Sequence, residues 1–214
     1  MDRRRPSFFQ EHPFLKDSFS LITFIVAVVV GTIVLNAFVF RSYNVIGSSM
    51  ENTLMPNDRI IVNRLAVTLS HLSEQEFVPH RGQIIVFANG GNSSILSCEP
   101  TPGIKDQYVI KRVIGFAGER VQVKDGILTV FNEQYPDGFH PDESTRVSDN
   151  DGPKAHTSGE IDIIVPQGEL FVSGDNREGS HSYDSRSGLG TVPLCRIIGP
   201  AVLRLYPFTA LRLF

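Results

Sequence analysis

An excess of charge of either sign is missing from this sequence. Twenty Lys and Arg stand against 23 Asp and Glu, a formal net charge of −3, too near neutral for a nucleic-acid surface. Cysteine is scarce: Cys98 and Cys195 are the only two, and sequence leaves a disulfide and two free thiols equally open. The six histidines, at 12, 71, 80, 140, 156 and 181, never pair with a second ligand at a metal-binding spacing, so neither a metal nor a cofactor is expected. No internal repeat occurs, which sets aside the solenoids and propellers. Turn residues, by contrast, are plentiful. Thirteen Pro and 18 Gly fit a β-rich, turn-rich body better than a helical bundle.

Charge is also absent, locally and completely, from Ser18 to Phe40. As a helix that run is roughly 34 Å long, enough to cross a hydrocarbon core of about 30 Å. A cleavable signal peptide would have a shorter apolar region followed by a small-x-small site, which Ala37-Phe38-Val39 does not supply. One transmembrane helix over 18–40 is therefore expected. Arg3, Arg4, Arg5 and Lys16 precede it. Positive charge on that side places a tail, 1–17, in the cytoplasm and residues 41–214 outside the cell membrane.

Past the anchor the patterns are those of strands. Arg59–Val62, Gln83–Phe87, Tyr108–Ile114, Arg120–Lys124, Ile127–Phe131, Ile161–Val165, Leu170–Ser173 and Ile197–Leu205 read as strands, with Asp125-Gly126 as a hairpin turn. Residues 64–80 are polar, with one helical turn expected near Ser73–Phe77. Residues 132–159 carry scattered acids and prolines, bury little, and read as an inserted loop or small cap. The fold class expected is mostly β, an antiparallel sheet domain behind one N-terminal helix.

Three stretches carry chemistry. The first is Tyr43-Asn44-Val45-Ile46-Gly47-Ser48-Ser49-Met50-Glu51-Asn52-Thr53-Leu54. A bend at Gly47 can free the Ser49 hydroxyl and aim neighbouring N–H groups at one point, although serine-rich turns are usually only turns. The second is Tyr108-Val109-Ile110-Lys111-Arg112-Val113-Ile114-Gly115. A lysine between two valines is ordinarily an edge residue with a snorkelling stem. Desolvated, its pKa falls by several units from about 10.4 and its amine can take a serine proton. The third is Gly174-Asp175-Asn176-Arg177 followed by Asp184-Ser185-Arg186.

In order and content these stretches resemble the three boxes of type I signal peptidases, membrane-bound serine–lysine proteases that cut leader peptides from exported proteins. The resemblance runs from Phe19 onward. It implies Ser49 as nucleophile and Lys111 as general base, with an oxyanion hole on the Ser49 backbone in the Gly47 region. Some members have a serine where Gly47 stands, and many have a proline in place of Asn52. It also implies an extended substrate beside Tyr43, Val45, Ile46, Met50, Tyr108, Val109 and Ile110, with small residues selected in an Ala-x-Ala manner. Arg112, Asp175, Arg177, Asp184 and Arg186 are expected to form framework ion pairs. The third box has two residues more than the family spacing. Counting back from Asp184 selects Ser182 as the residue that orients the lysine amine, in preference to Ser180. His181, in that insertion, is weighed as a base and set aside.

The partners implied are exported preproteins, membrane lipid and the secretion translocon, with no nucleic acid. Two other readings stay open: a non-catalytic anchored β-domain, and another Ser/Lys processing protease of the self-cleaving repressor kind.

Overall fold

The computed structural model describes residues 13–73, 76–90, 98, 106–145 and 151–214. The expected cytoplasmic tail lies outside them as far as residue 12. Two units are present, divided after Val39.

The first unit is helical. Helix α1 (Pro13–Val34) runs into a wider π-turn, Leu35–Val39. From Asp17 to Val39 it is long and apolar enough to cross a membrane. Three of its polar side chains are satisfied within the helix, as a hydrocarbon environment would require. The Thr23 and Thr32 hydroxyls donate to carbonyls four residues back, at 2.8 Å each, and Asn36 Nδ2 donates to Thr32 O at 3.0 Å.

The second unit, Phe40–Phe214, is built of antiparallel strands. They are β1 (Phe40–Asn44), β2 (Arg59–Asn63), β3 (Ile84–Asn89), β4 (Gln107–Phe116), β5 (Arg120–Lys124), β6 (Ile127–Phe131), β7 (Ile161–Ile164), β8 (Glu169–Ser173), β9 (Val192–Pro193), β10 (Ile197–Tyr206) and β11 (Arg212–Leu213). The large sheet has the order β1-β2-β10-β3-β4-β8-β9, with β11 against β10, and the small one runs β6-β5-β7. The unbroken apolar run in β3 is explained by its place inside the large sheet, where all six residues are buried. The β5–β6 hairpin turns at Asp125 and Gly126, both at positive φ (51° and 79°), the conformation for which Asp-Gly is suited.

Three buried clusters hold this unit. Val45, Met50, Leu54 and Ile60 pack with Val62 and Val86. Ile85, Phe87, Val113 and Leu170 pack with Val172 and Ile197. Ile114 and Phe171 join the small sheet's Val121, Val123 and Val130.

Two expectations need correction. Helix α2 spans Leu65–Ser73, ahead of the turn expected at 73–77, of which residues 74 and 75 lie outside the described residues. Its leucines at 65, 69 and 72 recur at helical spacing but are exposed, and it is Val67 that packs on the second cluster. The described parts of the 132–159 segment, 132–145 and 151–159, bury more than expected. Pro141, Asp142, Gly152, Pro153 and Thr157 are buried, because the segment lies along the third motif: Lys154 N donates to Asp175 O and Ser158 N to Arg177 O, both at 3.0 Å. The cysteine question is answered as well. Cys98 and Cys195 are disulfide-bonded, with Cα atoms 5.7 Å apart.

Candidate active site

Ser49 sits on a turn between β1 and β2. Met50 and Leu54, one helical turn apart, point into the first core cluster at 1% and 0% exposure. The Thr53 and Leu54 amides donate to Met50 O, at 3.0 and 2.8 Å, and close the turn. Val45 ties the incoming chain to the outgoing one through Asp58 O and Asn57 N, at 2.8 and 2.9 Å. Between these fixed points Gly47 adopts φ +84°, a left-handed conformation that glycine takes without strain. With Val45 and Met50 buried and the chain bent at Gly47 between them, Ser49 is left partly exposed.

Lys111 comes from β4, opposite Ile85 of β3. Its Nζ donates a 2.7 Å hydrogen bond to Ser49 Oγ. Only 4% of the residue is exposed. Burial pushes the amine down to about 8, against the attraction of Asp184 and Asp175 and with the help of Arg186. A base poised there is neutral in a useful fraction of molecules near neutral pH.

The third motif surrounds this pair with carboxylates whose charges are matched. Arg112 forks onto Asp175 through Nε to Oδ1 at 2.7 Å and Nη2 to Oδ2 at 2.5 Å, and the Thr53 hydroxyl donates to the same carboxylate. Arg177, fully buried, forks onto Asp142 at 2.5 and 2.8 Å. Asp184 accepts from Gly174 N (2.9 Å), Ser173 Oγ (3.1 Å), Ser182 Oγ (2.7 Å) and Arg186 Nη2 (2.8 Å). Burial would raise the Asp184 carboxyl, but the Arg186 guanidinium and these donors outweigh it and hold it below the usual range. Ser182 is thus buried beside the site, whereas Ser180 and His181 are exposed. A Cβ on Gly174 would overlap both Ser182 Oγ and Ser49 O, so a glycine is what lets the third motif lie against the nucleophile turn.

Beside the pair lies a cleft of about 170 Å³, lined by Tyr43, Val45, Ile46, Tyr108, Val109 and Ile110 among others. The Tyr43 and Tyr108 rings in its lining meet at 5.2 Å, with Arg41 against both. Six of the seven residues expected along a substrate come together here; Met50 belongs to the core and does not line the cleft.

The structure brings forward two residues that sequence reasoning did not single out. Asp142 stands in a segment read as a loop, and the one signal for it is that a buried Arg177 needs an acid. Asn176 lies in a recognised motif yet contacts the nucleophile turn directly, donating from Nδ2 to Ser48 O at 3.1 Å.

Comparison with known families decides what this arrangement belongs to. The model described as "Signal peptidase, peptidase S26" matches residues 17–206. The chain belongs to the signal peptidase family. Signal peptidase I T of Bacillus subtilis is 32% identical over 88% of this chain and 85% of its own. Probable signal peptidase I-2 of Synechocystis is 32% identical over 85% of this chain and 70% of its own. A crystal structure of a signal peptidase I from Enterococcus faecalis aligns with 59% of this chain and 98% of its own, at 27% identity and a TM-score of 0.39. As a signal peptidase of the S26 family, the protein is a serine peptidase that removes signal peptides from exported preproteins.

Proposed function

We propose that Ser49 and Lys111 carry out the cleavage as a serine–lysine dyad. The observation that carries the reading is the 2.7 Å hydrogen bond between Ser49 Oγ and an amine that burial holds near 8. Neutral Lys111 takes the Ser49 proton as Oγ attacks the scissile carbonyl carbon. The resulting ammonium returns that proton to the leaving amine as the C–N bond breaks, which releases the mature protein and leaves an acyl-Ser49. Lys111 then deprotonates a water that hydrolyses the ester and regenerates the serine. The Ser49 N–H, set by the Gly47 bend, stabilises the oxyanion. Ser182, held by Asp184, orients the amine, while Arg112, Asp175, Arg177, Asp184 and Arg186 form the framework.

The substrate lies extended in the cleft between the chain leading into Ser49 and β4. Val45, Ile60, Val86 and Ile110 line the cleft beside Ser49 and Lys111; cutting after Ala-x-Ala sequences, by rejection of oversized side chains, is the preference that the family resemblance implies for it. The self-satisfied apolar helix α1 supports a single-pass anchor over 18–40 in the cell membrane, with 1–17 cytoplasmic and the catalytic domain 41–214 outside. Substrates would then reach it from the translocon. Exposed Ile46, Phe208 and Leu213 support contact of the domain with lipid.

The test is cleavage of a preprotein with an Ala-x-Ala site by the full chain in detergent. Wild type is expected to release a product whose new N-terminus follows the second alanine, and Ser49→Ala none. Cleavage by Ser49→Ala would refute the assignment of the nucleophile.

A further inference from the structure

Asn176 holds the turn that carries Ser49 by both of its donors. Its side-chain Nδ2 donates to Ser48 O at 3.1 Å, with Glu51 Oε2 at 3.4 Å as a second acceptor. Its backbone N donates to Ser49 O at 3.0 Å. The side-chain orientation is forced, because a backbone carbonyl can only accept and an inverted amide would set two oxygens face to face. The residue is 3% exposed, and the chain on either side of it is pinned. Lys154 N donates to Asp175 O and Ser158 N to Arg177 O. Arg177 Nε closes the turn on Gly174 O at 2.6 Å.

The consequence follows from peptide geometry. In a planar trans peptide, C=O and N–H point in opposite directions. The carbonyl of Ser48 shares its plane with the N–H of Ser49, and the carbonyl of Ser49 shares its plane with the N–H of Met50. Both carbonyls are held by Asn176, the Ser48 carbonyl by the Glu51 N–H as well (3.1 Å), and both N–H groups are therefore turned away from it. Neither amide donates to another group among the described residues. Two unused, pre-aimed donors flank the Ser49 hydroxyl, and Gly47 supplies no hydroxyl to assist them. Donors in fixed positions are the requirement for stabilising an oxyanion, since they need no reorganisation as charge develops.

We propose that Asn176 is a positioning residue for catalysis: by clamping the Ser48 and Ser49 carbonyls it aims the Ser49 and Met50 N–H groups at the oxyanion. The proposal rests on Ser49 being the nucleophile. It separates from the Lys111 part of the mechanism, because Asn176 acts on charge at the substrate oxygen and leaves the base untouched.

The experiment compares wild type, Asn176→Ala, Asn176→Asp and Ser49→Ala as full chains in detergent. It reads kcat and KM on a preprotein, the pH profile, Tm, and inhibition by a substrate-like peptide aldehyde whose adduct with serine carries an oxyanion-like oxygen. Asn176→Ala loses the Nδ2 bond. Asn176→Asp keeps the volume and places an acceptor against Ser48 O, and it carries the test should the alanine variant lose its fold. Expected for both is a fall in kcat of about 10- to 100-fold with KM within a few-fold and a parallel loss of aldehyde affinity, with the pH limb of the uncharged Asn176→Ala unmoved from wild type. Turnover within about threefold of wild type in a folded Asn176 variant would overturn the proposal. So would a loss confined to KM, aldehyde affinity left unchanged while kcat falls, or a fall in Tm that accounts for the whole loss. Residual cleavage by Ser49→Ala would instead remove the nucleophile assignment beneath it.

Discussion

At the scale of single residues, Lys111 gives up stability for reactivity. Its amine titrates about 10.5 in an unfolded chain and about 8 here, chiefly through burial. Below pH 8 both states are protonated and the folded one bears the full cost of a buried ammonium, on the order of 3 kcal/mol. Between 8 and 10.5 the unfolded chain binds more protons, so stability rises with pH and the cost fades. Lys111→Met keeps the apolar stem and removes the charge. It should therefore be inactive yet more stable than wild type at pH 7, with the gain in denaturant midpoint shrinking toward pH 10. A variant less stable than wild type at pH 7 would mean that the amine is net stabilising where it sits. The lysine was legible as chemistry only through its neighbours in the family motif; in isolation a Val-x-Lys-x-Val pattern describes many edge strands. Counting back from Asp184 selects Ser182 over Ser180, and in the structure the buried Ser182 hydroxyl donates to that carboxylate.

At the scale of elements, the site is the meeting of one turn, one strand and one loop. The strands were readable because burial on both faces writes an unbroken apolar run, as in β3, and burial on one face writes alternation, as in β5 and β6. Helix α2 was not: Leu65, Leu69 and Leu72 recur at helical spacing, but Ala66 and Val67 between them blur the contrast in a nine-residue run. The docking of 151–159 on the third motif was not legible either, since backbone hydrogen bonds such as Ser158 N to Arg177 O leave no mark on side-chain identity. What the third loop needs is close approach at Gly174. Gly174→Ala would place a methyl group against Ser49 O and Ser182 Oγ, with an overpacking cost of about 1–3 kcal/mol. The loop must then withdraw from the nucleophile turn. We expect kcat to fall at least tenfold with Tm lowered by a few degrees, measured by preprotein cleavage and thermal unfolding. Near-normal turnover would show that the loop's distance from Ser49 does not matter.

At the scale of the whole molecule, a helix able to cross a membrane precedes a β domain that exposes Ile46 (91%), Phe208 (70%) and Leu213 (77%). On the proposed reading these side chains meet lipid. A chain beginning at Arg41 is accordingly expected to cleave a peptide substrate in detergent or lipid and to lose rate and monodispersity in plain buffer. Full activity as a monomer without detergent would count against a lipid-facing domain. The central claim, though, is the dyad. It is tested most directly by the rate at which a serine-directed lipopeptide or β-lactam inhibitor acylates Ser49 as pH is varied, in wild type and in Lys111→Met. The account predicts a rate that climbs tenfold per unit of pH and levels off near pH 8, the value to which burial brings Lys111, with no acylation in Lys111→Met. A rate flat between pH 6 and 9, or unchanged in Lys111→Met, would contradict it.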